Sequence, residues 1–185
     1  MARQAVIDLE TVAHGSVPAK TQSDEMSTFE RLASTPGINV ENLERLMQMH
    51  ERMQARAAEQ AFNAAMSAAQ TEMRPVAADA SNPQTRSRYA SYAALDSALR
   101  PIYTKHGFGV SYDTGDSPKE DHARVLAYVT HSGGHARTYH LDMPADGKGA
   151  KGGDVMTKTH ATGAAMSYGM RYLLKMIYNV AVGED

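Results

Sequence analysis

Cysteine is missing from all 185 residues, which excludes a disulfide framework, a thiolate metal site and a cysteine nucleophile together. Nowhere does an apolar run approach the roughly 18 residues that a membrane-spanning helix needs. The opening stretch, MARQAVIDLETVAHG, places Asp8 and Glu10 where a secretory signal requires its hydrophobic segment. These absences set the expectation of a soluble, cytoplasmic protein with no membrane partner. There is no internal repeat, no HExxH or similar metal spacing, and no Gly-Lys-Ser/Thr ending to the one Gly/Lys-rich loop.

What is present fits one well-buried core with room for an arm or an interaction helix. The net charge is only −2, but it is unevenly placed. Residues 1–83 hold 7 Lys/Arg against 11 Asp/Glu, whereas residues 84–175 hold 12 against 8 and six of the eight histidines. A polyanion would therefore sit on the second part.

Residues 1–37 are polar, lack sustained periodicity and end in the breaker STPG, so they read as a flexible N-terminal arm. Residues 38–185 read as one domain, with a long helix over 38–74 and an α+β core over 75–185. Asn39 is the expected N-cap of the helix. Its stripe of Leu43, Leu46, Met47, Met53, Ala57, Ala61, Ala65 and Ala69 suits packing on its own domain or on a neighbouring subunit. After an extended RPVAADA comes a polar loop, SNPQTRSRYAS. Tyr92, Leu95, Leu99 and Ile102 then recur at helical spacing, with Pro101 expected to kink or interrupt the helix and Gly107 to stop it. Three strands follow in FGVSYD, HARVLAYVT and HARTYHLDM, the last two joined by the Gly-rich turn HSGG. A final helix is expected from a cap at Asp154, with Val155, Thr159, Thr162, Met166, Leu173 and Ile177 facing the core. The predicted fold is α+β: a three-stranded antiparallel meander covered by helices, with the long helix in front.

Four features carry candidate chemistry. GKGAKGGD, with Lys148 and Lys151 and helix amides after it, is a solvated loop, a mobile finger for a polyanion or, less in keeping with its missing P-loop ending, a nucleotide site. His122, His131, His135, His140 and His160 lack metal spacing and read as surface groups that gain charge below about pH 6.5. In TRSRYASY, Arg86, Arg88, Tyr89 and Tyr92 alternate cations with phenols, as single-stranded nucleic acid requires, although tyrosines packed as core would explain the same letters. On the last helix, Thr157, His160, Ala164, Ser167 and Arg171 form a narrow polar face flanked by Lys158, Tyr168 and Lys175. Small residues let the helix sit tightly on the sheet and, beside cations, let a nucleic-acid backbone approach, with Arg171 either a groove cation or a subunit-interface contact. Lys105 is a further candidate cation for such a groove.

From about Phe62 onward the chain resembles the ERF (essential recombination function) family of phage single-strand annealing proteins. RSRYASYAALDSALRPIYTKHGFGVSY, the segment around THSGGH, and TGAAMSYGMRYLLKMIYNVAVGED carry the resemblance in the family's order. The last is the most specific, with a Ser-Tyr-x-x-Arg-Tyr helix followed by Gly-Glu-Asp; Ser167 and Gly169 depart from the residues common there but leave Tyr168, Arg171 and Tyr172 in place. The resemblance implies the strand-strand-strand-helix core of recombination annealing proteins, assembly into rings or filaments, and pairing of complementary strands without metal, cofactor or ATP. It also leads us to expect no C-terminal partner-binding region, since the acidic segment ends at Asp185. The function expected is that of a non-enzymatic DNA recombination and repair protein of bacteriophage type. Its partners would be single-stranded DNA, the annealed duplex intermediate, further copies of the chain and a host single-strand-binding protein. The rival readings are a metal-dependent nuclease using the histidines with Asp142, Asp146 or Asp154, and a phage structural protein that oligomerises through its long helix.

Overall fold

In a computed structural model, residues 27–28, 30–31, 34–35, 37, 39–83, 86–148, 153 and 155–183 are described. Two compact units divide the chain, residues 1–51 and 52–185. Helix α1 spans Val40–Glu72, and Asn39 Oδ1 accepts the Glu41 N–H at 2.9 Å as its N-terminal cap. The anticipated stripe is only partly the buried one. Phe62, Ala69 and Met73 are buried and Ala65 and Met66 pack against them, whereas Leu46, Met47 and Met53 are exposed. The large ring of Phe62, which an alanine stripe does not announce, anchors the helix.

Among the described residues, four short strands lie outside the main sheet. β1 (Val76–Ala77) pairs in parallel with β7 (Val182–Gly183). β2 (Ala80–Asn82) and β3 (Ser87–Tyr89) form an antiparallel hairpin where a loop is expected from sequence. Its residues alternate no apolar side chains, so the strand signal is silent, and the pairing is fastened from outside. Asp79 accepts both the Ser91 N–H at 2.6 Å and the Ser91 hydroxyl at 2.7 Å, and these hydrogen bonds hold its carboxyl below the usual range. Ser91 in turn caps α2 (Tyr92–Lys105), accepting the Ala94 N–H.

α2 runs through Pro101 without stopping. The ring faces solvent, and the helix ends at His106 with Gly107 at φ +79°, where a left-handed conformation suits glycine. Leu95, Leu99 and Tyr103 are its buried residues. The main sheet comes next, β4 (Phe108–Asp116), β5 (His122–His131) and β6 (Ala136–Pro144), in the order β4-β5-β6. Alternation sets its register: Val110 pairs with Val129, and Ala127 with Tyr112 and Tyr139, all on the core-facing side. Between β5 and β6 the His131 N–H donates to the His135 carbonyl at 2.9 Å, closing a three-residue loop with Gly134 at φ +91°. On the other side of the sheet Arg124 forks onto Asp142 at 2.8 and 3.0 Å, and this pairing draws the Asp142 carboxyl down to about 2.

α3 (Lys158–Ile177) packs on β5 and β6. Its N-cap is Thr157, whose hydroxyl accepts the His160 N–H; Asp154 lies outside the described residues. The buried face is also rotated from the expected one. Ala161, Ala165, Gly169, Leu173, Leu174 and Ile177 lie inward, while Val155 and Thr159 are exposed and Thr162 and Met166 are half-buried. The reason is the sheet's bulk. A Cβ on Gly169 would stand 2.5 Å from Val125 Cγ2 and 2.9 Å from Val125 Cβ, so only glycine lets helix and sheet approach this closely. The small residues therefore serve the sheet. The exposed edge belongs to Tyr168, Tyr172 and Met176.

Candidate nucleic-acid interface

On that exposed edge, Tyr168 and Tyr172 are each 40% accessible and Met176 56%. One turn of helix separates the two phenols, and their rings lie 6.3 Å apart with planes 23° from parallel. The hairpin brings a third ring to them. Arg171 Cζ lies 4.3 Å from the Tyr89 ring centroid, 4.9 Å from Tyr168 and 5.0 Å from Tyr172. All three are within the range at which a guanidinium is attracted to the face of a ring. β3 and α3, distant in sequence, thus meet around one cation.

Beside this cluster is a recess of about 150 Å³ lined by residues including Arg88, Tyr89, Arg171, Tyr172, Lys175 and Val182. Arg88 donates from Nη2 to the Ala78 carbonyl at 2.7 Å, which steadies one end of its guanidinium. Among the described residues no carboxylate pairs with Arg88, Arg171 or Lys175. Three cations and two rings line this recess, with Tyr168 against the same guanidinium, a set that can bind phosphates and stack flat unsaturated rings.

The remaining candidates are scattered. Tyr92 packs edge-on against Tyr112 at 6.1 Å, and burial raises its phenol pKa, so it belongs with the core. Lys105 binds both oxygens of Glu72 at 2.9 Å, with the His106 ring on the same carboxylate. Lys158 lies 3.7 Å from Asp121. Arg86 is exposed at the hairpin turn with φ +53°. Lys148 is exposed, its N–H donated to Asp146, and Lys151 lies outside the described residues. The histidines do not gather. The His131 and His135 rings pack on Phe62 at 6.2 and 5.1 Å, and His122 Nδ1 lies 2.7 Å from the Glu120 carbonyl. Among the described residues no three His, Asp or Glu side chains come together as metal ligands, and no helix there is long and apolar enough to cross a membrane.

Met176, exposed one turn beyond Tyr172, stands at i+8 from Tyr168, a spacing the sequence shows. Val182 was missed because β7 is too short to announce itself.

Neither a curated protein nor a solved structure matches the chain. Residues 62–185, more than half of it, match the ERF superfamily, a family of single-strand annealing proteins. That span contains the three-stranded sheet, α3 and every member of the Arg171 cluster. The chain belongs to the ERF superfamily.

Proposed function

We propose that this protein binds single-stranded DNA and anneals complementary strands without ATP, working as an oligomeric ring or filament. The observation that carries the reading is the Arg171 guanidinium set among Tyr89, Tyr168 and Tyr172, with Arg88 and Lys175 beside it. Cations answer phosphates, rings answer unpaired bases, and neither requires a particular sequence. Duplex formation releases about 1.4 kcal/mol per base-pair step, so the protein needs only to present the strand and neutralise its charge. Exposed Arg86 and Lys148 are further cations that a strand's phosphates can meet. Lys105 and Lys158 contribute less, since Glu72 and Asp121 already answer them.

A site of this size holds few nucleotides, so useful affinity comes from many copies in a row. α1 offers a surface for assembly, because Val40, Leu46, Met47, Met49 and Met53 are exposed along it. Family membership supports recombination as the process and DNA as the partner. A phage origin, a site of action in the host cytoplasm and contact with a host single-strand-binding protein belong to the same reading. The test is annealing of complementary oligonucleotides by the purified chain, with and without magnesium, with particle imaging alongside. Annealing without cleavage in both conditions, on ring or filament particles, is the expected result. Metal-dependent cleavage, or assembly with no salt-sensitive DNA binding, would sink it.

A further inference from the structure

Tyr89 reaches Arg171 from a short hairpin whose own pairing is slight. β2 and β3 share three rungs, the innermost joining Ala80 to Tyr89, and a two-stranded ribbon is marginal on its own in water. Asp79 and Ser91 take over where the ladder stops. Asp79 Oδ1 accepts the Ser91 N–H at 2.6 Å and Oδ2 accepts the Ser91 hydroxyl at 2.7 Å, so both carboxylate oxygens are used on one residue. The Ser91 hydroxyl in turn accepts the Ala94 N–H at 3.1 Å and caps α2, and α2 packs on α3. The carboxylate thus ties the hairpin to the N-terminus of α2 and, through α2, to the helix that carries Arg171. Arg88 is fastened to the adjoining Ala78 carbonyl, so Tyr89 lies between two anchored residues. Asp79 is exposed, and by charge alone a carboxylate beside Tyr89's partner residue repels phosphates. Only its hydrogen bonds favour the site.

Resting on the reading that the Arg171 cluster binds single-stranded DNA, we propose that Asp79 is a positioning residue for that site. Without touching DNA, it acts through Ser91 and α2 to hold the Tyr89 ring at 4.3 Å from the Arg171 guanidinium. With this clasp open, Tyr89 is no longer fixed to α2, and ordering the ring as the strand binds costs affinity.

The experiment titrates a fluorescent thymidine oligonucleotide with the full chain and its variants at low salt. Asp79→Ala should weaken binding about fivefold or more, the lower end of what one stacking ring contributes. The sign is decisive, because loss of a carboxylate by charge alone tightens the hold on a polyanion. Asp79→Asn should bind at least as tightly as the unaltered chain, since its amide can accept the Ser91 N–H and donate to the Ser91 hydroxyl oxygen. In a Tyr89→Ala background Asp79→Ala should change little, the ring it positions being gone. Unchanged or tighter binding by Asp79→Ala overturns the positioning role while leaving single-strand binding intact. So does a loss that Asp79→Asn shares, or one equally large in the Tyr89→Ala background. No binding by the unaltered chain overturns the functional reading as well. Ser91→Gly opens the clasp from its other side with a residue that suits a helix N-terminus, and it should weaken binding in the same direction. If Asp79→Ala does not fold, full binding by Ser91→Gly overturns the proposal.

Discussion

Among the described residues two arginines lie over aromatic rings, and their surroundings make them different devices. Arg137 sits 4.6 Å over Phe62, a ring with 0% exposure. Its charge is answered by Asn63 at 2.6 Å and Glu59 at 3.6 Å. Every partner lies on α1, so the contact fastens that helix to β6. Arg171 lies over three phenols, two of them 40% exposed, and among the described residues no carboxylate answers it. The first cluster sets a partly exposed, answered charge on a buried ring; the second is open and cationic. One kind of contact thus serves cohesion where the ring is buried and the charge answered, and presentation where neither holds.

The largest effect is expected at the first cluster. Phe62→Ala should cost about 3–5 kcal/mol, as large aromatic truncations in cores do, read as a lower urea midpoint. Next comes the seam beneath the open one. Gly169→Ala should destabilise by about 1–3 kcal/mol, because overpacking against Val125 outweighs the gain of up to about 1 kcal/mol that alanine brings to a helix. Val125→Ala in the same chain should restore part of the loss; if it restores none, the crowding is not where the geometry puts it.

The third prediction separates the two arginines directly. Arg171→Ala should weaken single-strand binding by about tenfold or more, the scale of a charge-assisted contact of ~1.5–3 kcal/mol. It should also lower the log–log salt slope by about 0.7, with stability and particle size little changed. Arg137→Ala should do the reverse, removing about 0.5–1 kcal/mol of stability and leaving binding alone. Exchange of those two outcomes would erase the comparison.

The smallest effect concerns acid. Asp142 is held at about 2 by the Arg124 fork, below its ordinary 3.8. A carboxyl lowered on folding stabilises fully above its unfolded value and loses that contribution as pH falls through the folded one. Unfolding followed from pH 5 to pH 2 should therefore show a decline below about pH 4 that is shallower in Asp142→Asn.

Much of the scaffold was legible because its signals are local. Asn39 caps α1 as anticipated, Gly107 ends α2, and the alternation of Phe108, Val110 and Tyr112 with Val125, Ala127 and Val129 gives the meander and its buried face. The β2–β3 hairpin was illegible for an equally physical reason. Its strands bury no alternating apolar side chains, and Asp79 and Ser91 fasten it through hydrogen bonds that periodicity does not register. Of the candidate cluster, Tyr89, Tyr168, Arg171 and Lys175 are readable in the sequence as rings and cations, whereas Tyr92, Lys105 and Lys158, chosen by the same rule, have other partners.

The sequence by itself determined that three strands and three helices form, since caps, alternation and helical spacing act within a few residues. It also determined that α3 carries small residues, phenols and cations together. Which of these face the sheet was decided only by the tertiary structure. The bulk of Val125 across the contact demands Gly169 beneath it and turns the Ala161–Ala165–Gly169 face inward. That rotation leaves Tyr168, Arg171 and Tyr172 where Tyr89, from a hairpin far back in the chain, can reach the same guanidinium.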